Sequence, residues 1–223
     1  MRTQLDLGNK PRAQAALQLA TLHHRGVVRK FSGEPYITHP IAVAEILVGP
    51  GGMVGEDTIA AALLHDCLED PDINGRMMSP RTIEEACGPK VLRYVQLLSN
   101  TEKGTPEQRK AAAIQRIAGA SGIVRAVKLG DIIHNMRGIA DTDPAFARRQ
   151  LDEKEKMVRA MPITHSGLQR LALDTIAAEN EKLALQTLHM MQEMVAQEKR
   201  EVAQIEAMIA EEENAIFGDF AMF

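Results

Sequence analysis

Apolar residues in this 223-residue chain recur three and four positions apart, the spacing of one helical face. Caps and breakers cut the pattern into segments. Ala13 to His24 is rich in Ala and Leu with no breaker, which favours helix. Pro40 to Leu47 starts on a proline suited to a first helical position and stops before Gly49-Pro50-Gly51-Gly52. Asp57, as an N-cap, opens a helix predicted to run to Glu69. Ser79-Pro80 opens a short helix that Gly88 closes, and Pro89 starts another to about Leu98. Thr105-Pro106-Glu107-Gln108 is a capping-box pattern and leads a helix to about Ala118. Gly122 to Arg137 carries apolar residues at 123, 124, 127, 129, 132, 133 and 136, a wide helical face. Asp143-Pro144 opens the next helix, to about Met161. No stretch alternates at a period of two with β-branched enrichment, so no strand is predicted. The expected class is all-α, with a compact body over residues 1–162 and a helical extension over 163–223.

The extension has its own pattern. From Leu168 to Ile216 there is neither Pro nor Gly, which predicts one long helix or two. From Ala184 a seam runs through Leu188, Met191, Val195, Glu198, Val202, Ile205, Ile209, Glu212 and Ile216. Its gaps alternate between three and four, as a coiled-coil stripe requires, although two glutamates interrupt it. An amphipathic helix packed on the body and a helix used for homo-oligomerisation or partner docking both fit this pattern.

Composition narrows the function classes. With 45% hydrophobic and 25% charged residues the profile is that of an ordinary globular protein, large enough to bury a core without staples. The longest purely apolar run, Ile59 to Leu64, falls far short of the roughly 20 residues of a membrane span, so no membrane partner is expected. MRTQLDLGNK lacks the apolar centre of a secretory signal. Cys67 and Cys87 are too few for a disulfide framework, and the expected location is a reducing cytoplasm. A net charge of −4, 3% aromatics and no Trp argue against nucleic acid as a partner. The charge is uneven, with a net of −7 over residues 163–223 and +3 over 1–162, so the body suits an anionic ligand.

Three segments concentrate reactive side chains: Arg29-Lys30-Phe31-Ser32-Gly33-Glu34-Pro35-Tyr36-Ile37-Thr38-His39-Pro40, Leu64-His65-Asp66-Cys67-Leu68-Glu69-Asp70, and Lys128-Leu129-Gly130-Asp131-Ile132-Ile133-His134-Asn135-Met136-Arg137. On a helix, His65 would lie under Glu69 and Asp66 under Asp70. Ionisable groups crowded at the end of an apolar helix are costly unless a cation joins them. One imidazole with carboxylates suits a borderline-to-hard metal such as Mn²⁺ better than a structural zinc site. Asp131 and Asn135 repeat the i, i+4 theme on a third apolar segment. Alone, each feature is a capped or salt-bridged residue; together they point to one shared site. The Arg29-Lys30 pair, solvated surface by itself, becomes a phosphate-holding pair beside such a cluster.

These segments, in this order and spacing, resemble the HD-domain alarmone hydrolases: the hydrolase half of bacterial Rel/SpoT enzymes, their stand-alone small relatives and the metazoan SpoT-like homologue. The resemblance covers roughly residues 10–160 and implies a compact helical HD-domain fold. It implies a single Mn²⁺ held by His39, His65, Asp66 and Asp131, with Glu69 and Asp70 activating water. It places Arg29, Lys30, Tyr36, Asn135 and Lys154 at the nucleotide. Lys103, Arg109 and Lys110 fall where the family has a basic segment, and each is expected on the surface. The implied reaction is metal-dependent removal of pyrophosphate from the ribose 3′ position of (p)ppGpp.

The chain also departs from the family pattern. Phe31 is an extra residue after the basic pair, which leaves open the register of Arg29 and Lys30. Gly130 replaces a common Ala, and Gly138 stands where bifunctional members have Thr near the nucleotide. Another 3′-phosphorylated nucleotide, such as ppApp or NADPH, therefore stays open as substrate, as does a catalytically silent oligomerising or regulatory module. A synthetase domain would need on the order of another 150 residues, so alarmone synthesis is not expected.

Overall fold

A computed structural model of the chain describes residues 5–220, with side chains described through Glu211. Among the described residues the regular structure is helical: α1 (Pro11–His23), α2 (Thr38–Val48), α3 (Glu56–Leu64), α4 (Pro80–Cys87), α5 (Pro89–Leu98), α6 (Pro106–Gly119), α7 (Gly122–Met136), α8 (Pro144–Ala160) and α9 (Ser166–Phe220). A 3₁₀ turn covers Ile139–Asp141, and the one isolated β-bridge joins Val28 to Pro35. The all-α expectation holds, and α9 is one helix rather than two.

α3 lies at the centre of the body. Every residue from Thr58 to Leu64 is buried, and the helix packs against α1, α2, α5 and α7. Burying each such Leu or Ile contributes roughly 1.5–3 kcal/mol relative to exposure. α7 buries Val124, Val127, Ile132 and Ile133 and packs on α2 and α3. Gly130 permits this close approach, because a Cβ there would meet Val43 Cγ1 at 3.2 Å and Leu47 Cδ2 at 3.5 Å. Two predicted caps, at Thr105 and Asp143, form, and Ser121 adds a third. Thr105 and Gln108 make the full capping box, Ser121 accepts from Val124 N–H, and Asp143 accepts from Phe146 N–H.

Two local expectations are corrected. Asp57 does not cap α3; Gly55 precedes it, and Asp57 sits in the first turn, paired with Arg12 at 2.9 Å and Lys90 at 3.1 Å. α3 also stops at Leu64, five residues before Glu69. His65 bonds back to the Ala62 carbonyl, and Cys67 N–H to the Leu64 carbonyl three residues behind. The Cys67 bond is a tighter i−3 turn in place of a helical i−4 bond, and the His65 side chain occupies the Ala62 carbonyl.

The chain divides into compact units Met1–Asn180 and Glu181–Phe223. In the first, the Glu179 carboxylate accepts from the N–H groups of Gly138 (2.9 Å) and Ala140 (3.0 Å). Gly138 has φ +76°, a conformation that glycine adopts without strain, so its departure from Thr is explained by the backbone turn. In the second, the seam side chains from Ala184 to Ile209 are all exposed. The seam positions Glu212 and Ile216 lie outside the described side chains. Cys67 and Cys87 are free and buried. No described helix is long and apolar enough to cross a membrane.

Candidate metal centre

Three packed helices deliver the central groups. The first turn of α2 supplies His39, the turn that follows α3 supplies His65 and Asp66, and the middle of α7 supplies Asp131. His39 Nε2 lies 3.2 Å from His65 Nε2 and 3.3 Å from both Asp66 Oδ2 and Asp131 Oδ1. His65 Nε2 lies 3.1 Å from Asp66 Oδ2 and 3.7 Å from Asp131 Oδ1. One ligand atom from each of His39, His65 and Asp131, all buried, falls within 4.8 Å of the others.

The hydrogen-bond chemistry of these atoms fits a cation. His65 Nδ1 is 2.7 Å from the Ala62 carbonyl, which only accepts, so Nδ1 carries the hydrogen. In the neutral ring, Nε2 then presents a lone pair to the cluster. Two imidazole nitrogens and the Asp131 oxygen converge, with Asp66 Oδ2 beside both imidazoles, and a divalent metal suits that donor set. Without a metal, a proton takes that role. Burial lowers the His65 pKa, but the charges of Asp66 and Asp131 overcome this and raise it to about 10. Burial likewise works against the Asp131 and Asp66 carboxylates, yet their partners hold both well below the usual range. For Asp131 the first of these partners is Lys128, whose Nζ is 2.7 Å from Oδ2. Asn135 Nδ2 donates to Asp131 Oδ1 at 2.5 Å, the i, i+4 contact that the sequence spacing predicts.

Tyr36 joins the acidic pair. Its hydroxyl lies 2.9 Å from Asp66 Oδ2 and 2.5 Å from Asp70 Oδ2. A hydroxyl has one hydrogen, so a protonated carboxyl supplies the second bond. Asp70 is suited to it, because burial and the neighbouring Asp66 charge raise its pKa. Burial and the same carboxylates also raise the Tyr36 phenol.

Glu69 does not stack over His65. Its carboxylate accepts from Asn100 N–H at 3.0 Å and Asn100 Nδ2 at 2.7 Å. The early end of α3 is the reason. Arg29 reaches the centre, with Nη1 3.1 Å from His134 Nδ1 and Nη2 3.0 Å from Asn135 Oδ1. Lys30 does not; it is exposed, with its ammonium 5.4 Å over the Phe31 ring. Phe31 in turn packs its ring 5.4 Å from that of Phe146 on α8. Lys154 is half-buried on α8, and burial, then the charge of Lys128, lowers its pKa. His134, Lys128 and Asn100 are the side chains that sequence reasoning passed over. Lys128 could have been found by its i, i+3 spacing to Asp131, whereas His134 and Asn100 carry no such signal.

A family model for the HD domain matches residues 16–160. The chain belongs to the HD domain family. It is 33% identical over 172 residues to a guanosine-3′,5′-bis(diphosphate) 3′-pyrophosphohydrolase of Haemophilus influenzae, covering 74% of this chain and 23% of that protein. It is 32% identical to the bifunctional (p)ppGpp synthase/hydrolase SpoT of Escherichia coli K12, over 85% of this chain and 26% of that one. A GTP pyrophosphokinase of Streptomyces antibioticus is 34% identical, over 79% of this chain and 20% of its own. The chain thus spans about a quarter or less of these relatives. A solved structure, described as a metazoan ortholog of SpoT that hydrolyses ppGpp and plays a role in starvation responses, superposes with a TM-score of 0.67 at 27% identity. The match covers 76% of this chain and 95% of that one.

Proposed function

We propose that this HD domain is a Mn²⁺-dependent 3′-pyrophosphohydrolase that converts ppGpp to GDP and pppGpp to GTP, releasing pyrophosphate. The observation that carries the proposal is the convergence of His39, His65, Asp66 and Asp131 beside the Tyr36–Asp70 pair and the Arg29 guanidinium. The likeness to the metazoan SpoT ortholog, along 95% of its length, supports the substrate class. His39, His65, Asp66 and Asp131 would hold one ion. That ion supplies Lewis acidity toward a phosphoryl oxygen and makes water more acidic.

The chain's own groups do the rest. Asp70 is placed to hold and pass a proton, with Tyr36 fixing its carboxyl. Glu69, anchored by Asn100, would orient water from the other end of the turn. Water forms a bond to the phosphorus attached to the ribose 3′ oxygen. The bond from that phosphorus to O3′ breaks, and O3′ takes a proton. Arg29 and Lys154 would offset charge on the phosphate oxygens, while Lys30, over Phe31, would meet only the outer part of the ligand. Asn135 holds Asp131. The site is assigned to the body, residues 1–162, in a cytoplasmic protein, with the extension 163–223 outside the chemistry.

Incubation with ppGpp, with and without Mn²⁺ and with a chelator control, tests this directly. GDP and pyrophosphate are expected only with metal. Phe31 and Gly138 favour testing ppApp and NADPH as competitors, and turnover of either above ppGpp would replace the substrate assignment. Metal binding with no turnover of any of the three would make the domain a silent regulatory module.

For the extension, a second copy of this chain is the proposed partner. Leu188, Met191, Val195, Val202, Ile205 and Ile209 are each at least half exposed on one stripe. A parallel pair would set Glu198 against Glu198. An antiparallel pair sets it against an apolar residue and lets Lys199 meet Glu206. Light scattering should give twice the monomer mass; a monomer at micromolar concentration would end this assignment.

A further inference from the structure

Arg29 sits in the loop between α1 and α2, in a short turn closed by Arg29 N–H to the Glu34 carbonyl (2.8 Å) and Gly33 N–H to the Arg29 carbonyl (3.0 Å). Phe31 lies at the tip of that turn. The extra residue is absorbed there, and Arg29 is the member of the basic pair that turns inward.

The guanidinium decides two ambiguities at the metal centre. It carries only donors and keeps its charge. His134 Nδ1, 3.1 Å from Arg29 Nη1, must therefore present a lone pair. The same nitrogen lies 2.9 Å from His39 Nδ1. Two bare nitrogens cannot bond, so His39 Nδ1 carries the hydrogen. The lone pair of neutral His39 is left on Nε2, the atom that faces His65, Asp66 and Asp131. On the other arm, Arg29 Nη2 meets Asn135 at 3.0 Å, which fixes that amide oxygen toward Arg29. Its NH₂ end is then the one that donates to Asp131 Oδ1.

We infer that Arg29, acting through His134 and Asn135, is a positioning residue that aims His39 Nε2 and Asp131 Oδ1 at the metal. This rests on the metal-centre assignment above. It gives Arg29 a task separate from binding phosphate, since two of its five N–H groups point at protein acceptors and three remain. Lysine cannot replace it, because one ammonium on a flexible stem does not reproduce the planar fork. Losing groups that orient metal ligands typically weakens metal affinity about 10–100-fold.

Two measurements test the inference. In the metal-free protein, long-range ¹H–¹⁵N spectra of the histidines should show His39 in the Nδ1–H form and His134 with a bare Nδ1. His39 in the Nε2–H form overturns the relay without any variant. Titration with Mn²⁺, followed by electron paramagnetic resonance, should then give affinities about 10–100-fold weaker for Arg29→Lys and His134→Ala. His134→Gln, whose amide oxygen can accept from both partners, should recover most of the loss. Wild-type Mn²⁺ affinity in Arg29→Lys and His134→Ala, with only KM for nucleotide raised, would make Arg29 a phosphate clamp alone. Failure of the wild type itself to bind Mn²⁺ would instead remove the metal-centre assignment, and the relay with it.

Discussion

α7 and the second half of α9 carry similar apolar stripes, and the structure treats them in opposite ways. On α7 a charged group is buried. Asp131 sits among apolar neighbours because Lys128, Asn135, His39 and His65 surround it. On α9 from Ala184 to Ala210 the apolar groups are exposed, with Met191, Val195 and Ile205 each more than 50% accessible. Burial of charge is tolerable only where partners are built in, and exposure of an apolar stripe calls for a partner from outside. A stripe therefore tells where a helix face is, and only the surroundings tell what it meets.

The comparison breaks most sharply at Asp131. Asp131→Ala should reduce Mn²⁺-dependent turnover at least about 100-fold, by analogy with loss of metal-orienting groups. It should also cost about 3–5 kcal/mol of stability, because Lys128 is left buried and unpaired. Adding Lys128→Met should restore most of the stability and none of the activity, as read by thermal melts beside nucleotide assays. If the double variant stays as unstable as the single one, the Lys128 charge is not the cause.

Metal removal comes next. At a Mn²⁺ concentration 100 times Kd, binding adds about 2.7 kcal/mol, so a chelator should lower the melting temperature of the full chain. Ile205→Asp, on the α9 stripe, should leave that chelator shift unchanged. A change in the shift would tie the stripe to the metal centre.

A comparable effect comes from His24. Its ring packs 4.6 Å from that of Tyr36, its Nε2 is 3.6 Å from Cys67 Sγ, and its Nδ1 has no protein partner among the described residues. Burial, then the charge of His23, lowers its pKa to about 4. The unfolded chain takes this proton near pH 6.5 and the folded chain only near 4, so acid favours unfolding across that window. Roughly 3 kcal/mol should be lost between pH 6.5 and 4, with a plateau below. Urea midpoints across that range should fall less steeply for His24→Gln than for wild type, and parallel curves would remove His24 as the cause.

The smallest effects belong to α9. Glu198→Leu should strengthen self-association and Ile205→Asp should weaken it, measured by light scattering. Both should move the stability of the body by less than about 0.5 kcal/mol, as for exposed sites.

Much of this molecule is legible in its sequence, for a local reason. Proline, glycine and capping residues act on their own turn, and the predicted spans of α4, α5 and α6 match the observed ones to within a residue or two. The grouping of His39, His65, Asp66 and Asp131 is legible through the resemblance, since three apolar helices with polar residues facing inward have few other uses. The end of α3 is not, because Leu68 and Glu69 favour helix and no proline or glycine marks the stop, so one side-chain contact nearby and one far along the chain decide it. The side chain of His65 turns back to Ala62, and Glu69 is drawn to Asn100, which lies 31 residues further on.

The sequence by itself determined the helices, their caps, the apolar faces and the short list of reactive side chains, because each depends on neighbours within about four positions. The tertiary structure alone decided that Arg29 turns inward while Lys30 does not, that His134 stands behind His39, and that Glu69 meets Asn100. Those choices depend on donors meeting acceptors up to 106 residues apart. No spacing along the chain encodes such meetings, and only the packing of α2, α3 and α7 brings them about.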